Sequence, residues 1–123
     1  MQTPNFFILY VDNPAKSAAF YQELLARPPV ESSPTFALFA LDAGVMLGLW
    51  SRHTVAPAAE VTGGGHEICF PVDGRGRVDA LYADFKKLGL AIAQAPVELD
   101  FGYTFVALDP DQHRLRVFAS NGS

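Results

Sequence analysis

Asn5-Phe6-Phe7-Ile8-Leu9-Tyr10-Val11-Asp12-Asn13-Pro14, residues 5–14, is an apolar run that halts at a helix-starting triplet, and the chain spells a similar device again from His66. Sliding the second half onto the first by 61 residues sets Val11-Asp12 on Val72-Asp73, Phe20-Tyr21 on Leu81-Tyr82 and Leu24 on Phe85. The offset then grows, to 67 where Ala40-Leu41-Asp42 meets Ala107-Leu108-Asp109 and to 68 where Leu49-Trp50 meets Val117-Phe118. The drift falls in turns. Self-similarity on this scale means two copies of one supersecondary unit, each too small to bury its own apolar face. A joint between such copies is a natural place for a ligand cleft.

Within the first copy, residues 5–11 read as a strand and Pro14 suits the first helical turn, with Asp12 or Asn13 free to cap its amides. From Lys16 to about Ala26, the apolar positions Phe20, Tyr21, Leu24 and Leu25 recur at helical spacing, until Arg27-Pro28-Pro29 ends the helix. A short strand around Val30 to Ser33 precedes two longer ones, Thr35–Leu41 and Val45–Trp50, joined by the turn Asp42-Ala43-Gly44. Of Phe36 and Phe39, one faces the ligand side and the other packs on the helix. Residues 51–65, with three consecutive glycines and no period, form the linker.

The second copy repeats the order: His66–Val72 as strand, Val78, Leu81, Phe85 and Leu88 as a buried helix stripe, and Gly89 as the helix stop. Strands near Ala91–Val97, Tyr103–Leu108 and Arg114–Ala119 follow. The expected class is therefore α+β: two tandem β-α-β-β-β modules (about 4–51 and 66–120, linker about 52–65) forming a cup-shaped mixed sheet with helices on the outer face.

A chain of 123 residues, 50% hydrophobic and 18% charged, fits one globular domain of two modules. Thirteen acids against nine Lys and Arg leave no basic stripe, which argues against nucleic-acid partners. With no basic leader and no apolar run near 18 residues, the expectation is a cytoplasmic protein without a membrane partner. The lone Cys69 is expected to be a small buried residue of its strand.

Two such modules, with Val11-Asp12 closing the first strand and Phe20-Tyr21 on the first helix, resemble the vicinal oxygen chelate superfamily of glyoxalases, extradiol dioxygenases, fosfomycin-inactivating transferases and bleomycin-binding proteins. Leu9 to Pro14, Gly48-Leu49-Trp50, Asp100-Phe101-Gly102 and Phe105 to Asp111 are similar to its phenazine antibiotic resistance branch, whose members bind a planar aromatic drug. Gln112 departs from that pattern, because related turns usually carry Gly. The resemblance also implies a homodimer.

In metal-using members, each module gives one ligand from its first strand and one from its last. Carried over, those sites fall on Asn5 and His66, and on Gly48 and Arg116. Only His66 is a good ligand, whereas a catalytic centre needs about three, and a guanidinium repels a cation at the same spot. His53 and His113 lie in a linker and a turn. No metal and no cofactor are therefore expected. His66 reads either as a structural histidine or as a polar contact to a ligand.

Alternation along the strands groups Asn5, Phe7 and Leu9 with Met46, Gly48, Trp50, Ile68, Phe70, Arg114, Arg116 and Phe118 on the face of the former ligand positions. That face is aromatic, with a few cations. Gly48 beside Trp50 leaves room for a flat ring, Arg116 or Arg52 can pair with a carboxylate on it, and Phe101 and Tyr103 stand at the pocket mouth. The expected binding set is thus Asn5, Phe7, Met46, Gly48, Trp50, Arg52, His66, Phe101, Tyr103 and Arg116, with no catalytic residue. The leading expectation is non-enzymatic sequestration of a planar aromatic, phenazine-like antibiotic. A metal-dependent or metal-free glyoxalase- or dioxygenase-like enzyme is the alternative, and an interaction domain without a small ligand the third.

Overall fold

The first strand runs into a helix because Asn13 caps it. The Asn13 Oδ1 accepts from Lys16 N at 3.2 Å, and Pro14 opens the helix where its missing N–H is no loss. In the computed structural model, which describes residues 2–121, the order is β1 (Phe6–Val11), α1 (Pro14–Leu25), β2 (Glu31–Ser32), β3 (Phe36–Ala40), β4 (Met46–Ser51), β5 (Glu67–Pro71), α2 (Arg75–Lys87), β6 (Ala91–Leu99), β7 (Gly102–Leu108) and β8 (Arg114–Ser120). This is the expected pair of β-α-β-β-β modules in an α+β chain.

The chain divides into two compact units, Met1–Thr62 and Gly63–Ser123. The first holds a four-stranded sheet of order β1-β4-β3-β2, and the second one of order β5-β8-β7-β6. In both, the first strand pairs parallel with the last and the remaining pairs are antiparallel. The register carries the repeat to the residue. Phe6 lies opposite Met46, Ile8 opposite Gly48 and Tyr10 opposite Trp50. In the second unit, Glu67 lies opposite Arg114, Cys69 opposite Arg116 and Pro71 opposite Phe118. Offsets of 61 and 68 convert the one set into the other.

Each helix covers one face of its own sheet. In the first unit, Tyr21 and Ala18 of α1 are buried together with Leu9, Val11, Ala37, Phe39, Leu47 and Leu49. Phe36 lies on the opposite face, so the expected division of labour with Phe39 holds. In the second unit, Val78 and Phe85 of α2 are buried, and Phe105 meets both Tyr82 and Phe85 edge to face. Full burial of such side chains contributes about 1.5–3 kcal/mol each.

Leu88 departs from the expected stripe. It follows the last helical residue as the cap, beyond the turn that faces the sheet, and is exposed. Gly89 then takes a positive φ of 86°, as a helix stop requires, and Leu90 N donates back to Phe85 O at 3.0 Å. Where the chain enters β5, Gly63 presses on the turn before β8. A Cβ there would stand 2.2 Å from the carbonyl carbon of Gln112.

Candidate functional site

The face of each sheet turned away from its helix presents the candidate side chains. Strand partners directly opposite each other project to the same side, so Phe6, Ile8 and Tyr10 share the open face with Met46, Gly48 and Trp50. Phe7 pairs with Leu47 and Leu9 with Leu49, both on the helix side, so the expected grouping of Asn5 and Phe7 with Trp50 was displaced by one residue. Asn5 lies just outside the strand, where its carbonyl accepts from Met46 N at 2.8 Å. The physical reason for the slip is composition: all of Phe6 to Val11 are apolar or aromatic, leaving no polar alternation to fix which side is which.

Gly48 does not leave an empty slot beside the indole. A Cβ at Gly48 would meet the Phe36 ring at 3.0 Å and the Phe6 ring at 3.1 Å, so those two rings already close over the glycine. Phe36 stands edge to face with Trp50, centroids 6.2 Å apart. Phe6 and Ile8 nevertheless remain 44% and 40% exposed. The result is a continuous aromatic surface, built from Phe6, Phe36 and Trp50, that keeps part of its area in water. Phe6 is the member that the displaced face assignment missed, and Phe36 is the one of the Phe36–Phe39 pair that faces this side.

The second unit puts an ion pair at the corresponding place. Arg116 donates from Nε to Glu67 Oε1 at 2.8 Å and from NH2 to Glu67 Oε2 at 2.9 Å, a two-pronged pairing, and from NH1 to Thr104 Oγ1 at 3.2 Å. Thr104 is itself fixed, since its hydroxyl donates to Val117 O at 2.8 Å. The guanidinium hydrogen bonds hold the Glu67 carboxyl below the usual carboxylate range despite partial desolvation, and Glu67 in turn raises Arg116. Cys69 sits on this face, exposed rather than buried as expected, with its Sγ 3.8 Å from Glu67 Oε1. Desolvation, then the neighbouring carboxylate, pushes its thiol upward.

Phe101 belongs to the same face. It packs edge to face on Phe118 at 6.0 Å, Arg116 lies over its ring at 5.6 Å, and 44% of it stays exposed. Beside Arg116, a pocket of about 160 Å³ is lined by Ala93, Gln94, Val106, Arg114 and Arg116.

Other expected members lie elsewhere. Tyr103 turns to α2: its hydroxyl donates to Asp79 Oδ1 at 2.7 Å, which raises its pKa, and Arg75 stacks 3.9 Å above its ring. It pairs with Ala119 on the helix side, one residue out of phase with Thr104 and Val106. Ile68 and Phe70 likewise pair with Leu115 and Val117, opposite in sense to Arg114, Arg116 and Phe118. His66 precedes β5 and is exposed, with its ring 5.3 Å from that of His113. His113 is buried, its Nδ1 2.7 Å from Asp109 Oδ2. Arg52 leaves the open face at the end of β4. With His53, Ala59, Glu60, Val61 and Thr62 it lines a separate pocket of about 200 Å³. Asp12 lies 3.5 Å from Arg52 and 2.7 Å from the His53 Nε2, contacts that lower its pKa, the histidine bond most.

A divalent metal does not fit these donors. The open-face positions of the first unit, Phe6 and Gly48, offer no ligand atom. Those of the second, Glu67 and Arg116, spend the carboxylate on a guanidinium. Among the described residues, no cluster of three or more His, Cys, Asp and Glu is placed to hold an ion.

The sequence model of the Glyoxalase/Bleomycin resistance protein/Dioxygenase superfamily matches residues 3–117. The chain belongs to that superfamily. It is 30% identical over 118 residues to the phenazine antibiotic resistance protein EhpR of Enterobacter agglomerans, spanning 94% of this chain and 90% of that one. Protein ATC0852 of Agrobacterium tumefaciens, whose solution structure is known, is 57% identical, with a TM-score of 0.92 over 99% of this chain and 100% of the other. A glyoxalase-related enzyme from Fulvimarina pelagi shares the fold at 20% identity, with a TM-score of 0.83 over 98% of this chain and 89% of its own. The resemblance read from the sequence therefore holds, both to the superfamily and to its phenazine resistance branch. Among the described residues, no helix of this superfamily member is long and apolar enough to cross a membrane.

Proposed function

We propose that this protein binds and sequesters a planar aromatic antibiotic of the phenazine type without transforming it, acting in the cytoplasm as a homodimer. The observation that carries the reading is the partly exposed aromatic surface of Phe6 and the half-buried Phe36 and Trp50, in a chain similar to a protein named for phenazine resistance. An edge-to-face or offset-stacked aromatic contact contributes roughly 0.5–1.5 kcal/mol beyond the burial of its area. Burial itself adds about 25 cal/mol per Å² removed from water. Together, several such contacts suit micromolar binding, and neither needs a reacting group.

Trp50 is the single tryptophan, so its fluorescence reports binding directly. Titration with a phenazine should quench it at micromolar ligand, and Trp50→Ala, followed by calorimetry, should weaken binding about tenfold, or about 1.4 kcal/mol. Absence of quenching at high micromolar phenazine would remove this reading.

A further inference from the structure

We propose that the second unit carries a carboxylate-recognition pocket built on Arg114, so that the ligands taken are aromatic acids in preference to neutral or cationic aromatics. The inference rests on the reading above that the protein binds aromatic molecules, names their chemical class, and uses only groups of the second unit, where the Phe101 and Phe118 rings receive the aromatic body. It starts from the pocket of about 160 Å³ that places the Arg114 and Arg116 side chains together with Gln94.

The two arginines are in different states. Arg116 is committed: Glu67 holds two of its N–H groups and Thr104 a third, which fixes the plane of the guanidinium. A guanidinium has five N–H donors, so two remain. Arg114 is exposed and lies opposite Glu67 in the register, where its charge acts on that carboxylate, but among the described residues it makes no ion pair within 4 Å, the Glu67 oxygens being held by Arg116. One carboxylate against two guanidinium groups leaves the pocket with a net positive charge, in a protein whose overall charge is −4. Attraction of an anion here is therefore local and is not supplied by the molecule's general field, which opposes it.

The lining also fits the geometry of an acid. A carboxylate accepts from planar guanidinium donors in a two-pronged manner, and the Gln94 amide adds a donor for a further lone pair. The Phe101 and Phe118 rings lie on the same face, under and beside Arg116, and offer an aromatic body a surface next to its acidic group. A cationic ligand would meet two guanidinium groups, while a neutral one would desolvate Arg114 without compensation.

The test compares phenazine-1-carboxylic acid with phenazine-1-carboxamide, alike in shape but neutral, by calorimetry on the intact protein. The acid should bind at least tenfold more tightly, with an advantage that shrinks as salt is added. In Arg114→Gln the acid should lose that advantage while the amide keeps its affinity. Arg114→Lys should retain part of the preference. Because Arg114 is exposed, these variants leave the packed core untouched. Equal affinity of the wild type for acid and amide would overturn the pocket while leaving aromatic binding in place. So would a preference that survives Arg114→Gln unchanged. Binding of neither compound would overturn the aromatic reading and the pocket with it.

Discussion

The open faces of the two units are built on one register and filled in opposite ways. In the first unit, the wide residue is Phe36 on β3 and the small one Gly48 on β4, and the Phe36 ring reaches across to close over the glycine, joined by Phe6 from β1. In the second, the corresponding residues are Thr104 on β7 and Arg116 on β8. There the long side chain comes from the last strand and reaches across to the small one, joined by Glu67 from β5. Bulk has moved from one strand to its neighbour, and an oily contact has become a salt bridge. Complementary filling, and not the identity of any one residue, is what the shared backbone demands.

The largest disturbance should come from breaking the swap in the first unit. Phe36→Ala takes a half-buried ring off both Gly48 and Trp50 and should cost about 2–3 kcal/mol in urea unfolding. Gly48→Arg, which imports the second unit's solution without its small partner, should cost about 2 kcal/mol by the same measurement. Combined with Phe36→Thr it should recover part of that loss. A double variant no better than the sum of the two single ones would show that the faces are not exchangeable in this sense.

A smaller effect is expected from Glu67→Gln, about 1–2 kcal/mol near neutral pH, because the half-buried Arg116 loses its charged partner. The folded-state pKa of Glu67 is lowered, so the pair stabilises fully above the ordinary glutamate pKa and its contribution disappears as the pH falls through the lowered value. Stability measured between about pH 7 and about pH 3 should therefore fall less steeply in Glu67→Gln than in the wild type. The first unit, whose matching residue is Phe6, supplies no such acid-sensitive contribution at this position.

The smallest effect concerns the turns before β4 and β8. Leu41 N donates to Val45 O at 2.7 Å, and Asp109 N to His113 O at 3.0 Å, so the two turns close alike. Gly44 and Gln112 occupy the same left-handed position, with φ of 78° and 71°. A residue with a Cβ is strained there by roughly 1–2 kcal/mol, offset in part by the flexibility a glycine adds to the unfolded chain. Gln112→Gly should raise stability by about 0.5–1 kcal/mol, measured by thermal unfolding, and bring the second turn level with the first.

Element order was legible because the repeat supplied two independent readings of it. The face assignment was not, because the parity of β1 was set from Asn5, outside the strand, in a run where every residue is apolar or aromatic. The second copy held the remedy: Arg114-Leu115-Arg116-Val117 alternates charged with apolar, and Glu67 is the one charged residue of its strand, followed by the apolar Ile68. They place Glu67 with Arg116 and put Ile68 against the helix. The departure at Gln112 was visible as a missing glycine, and the positive φ there shows why the turn favours one. The closing of Phe6 and Phe36 over Gly48 had no sequence signal, since a glycine in a strand reads equally as a vacancy or as a seat for a neighbouring ring.

Gly63 bears on how the chain can be re-engineered. Any larger side chain at that residue would collide with the main chain of Gln112 and His113, so the second half begins with a step that tolerates neither bulk nor displacement. Inserted peptides, affinity tags and permuted termini therefore belong upstream, in the exposed stretch from Ala56 to Ala58, where added length leaves that crossing intact.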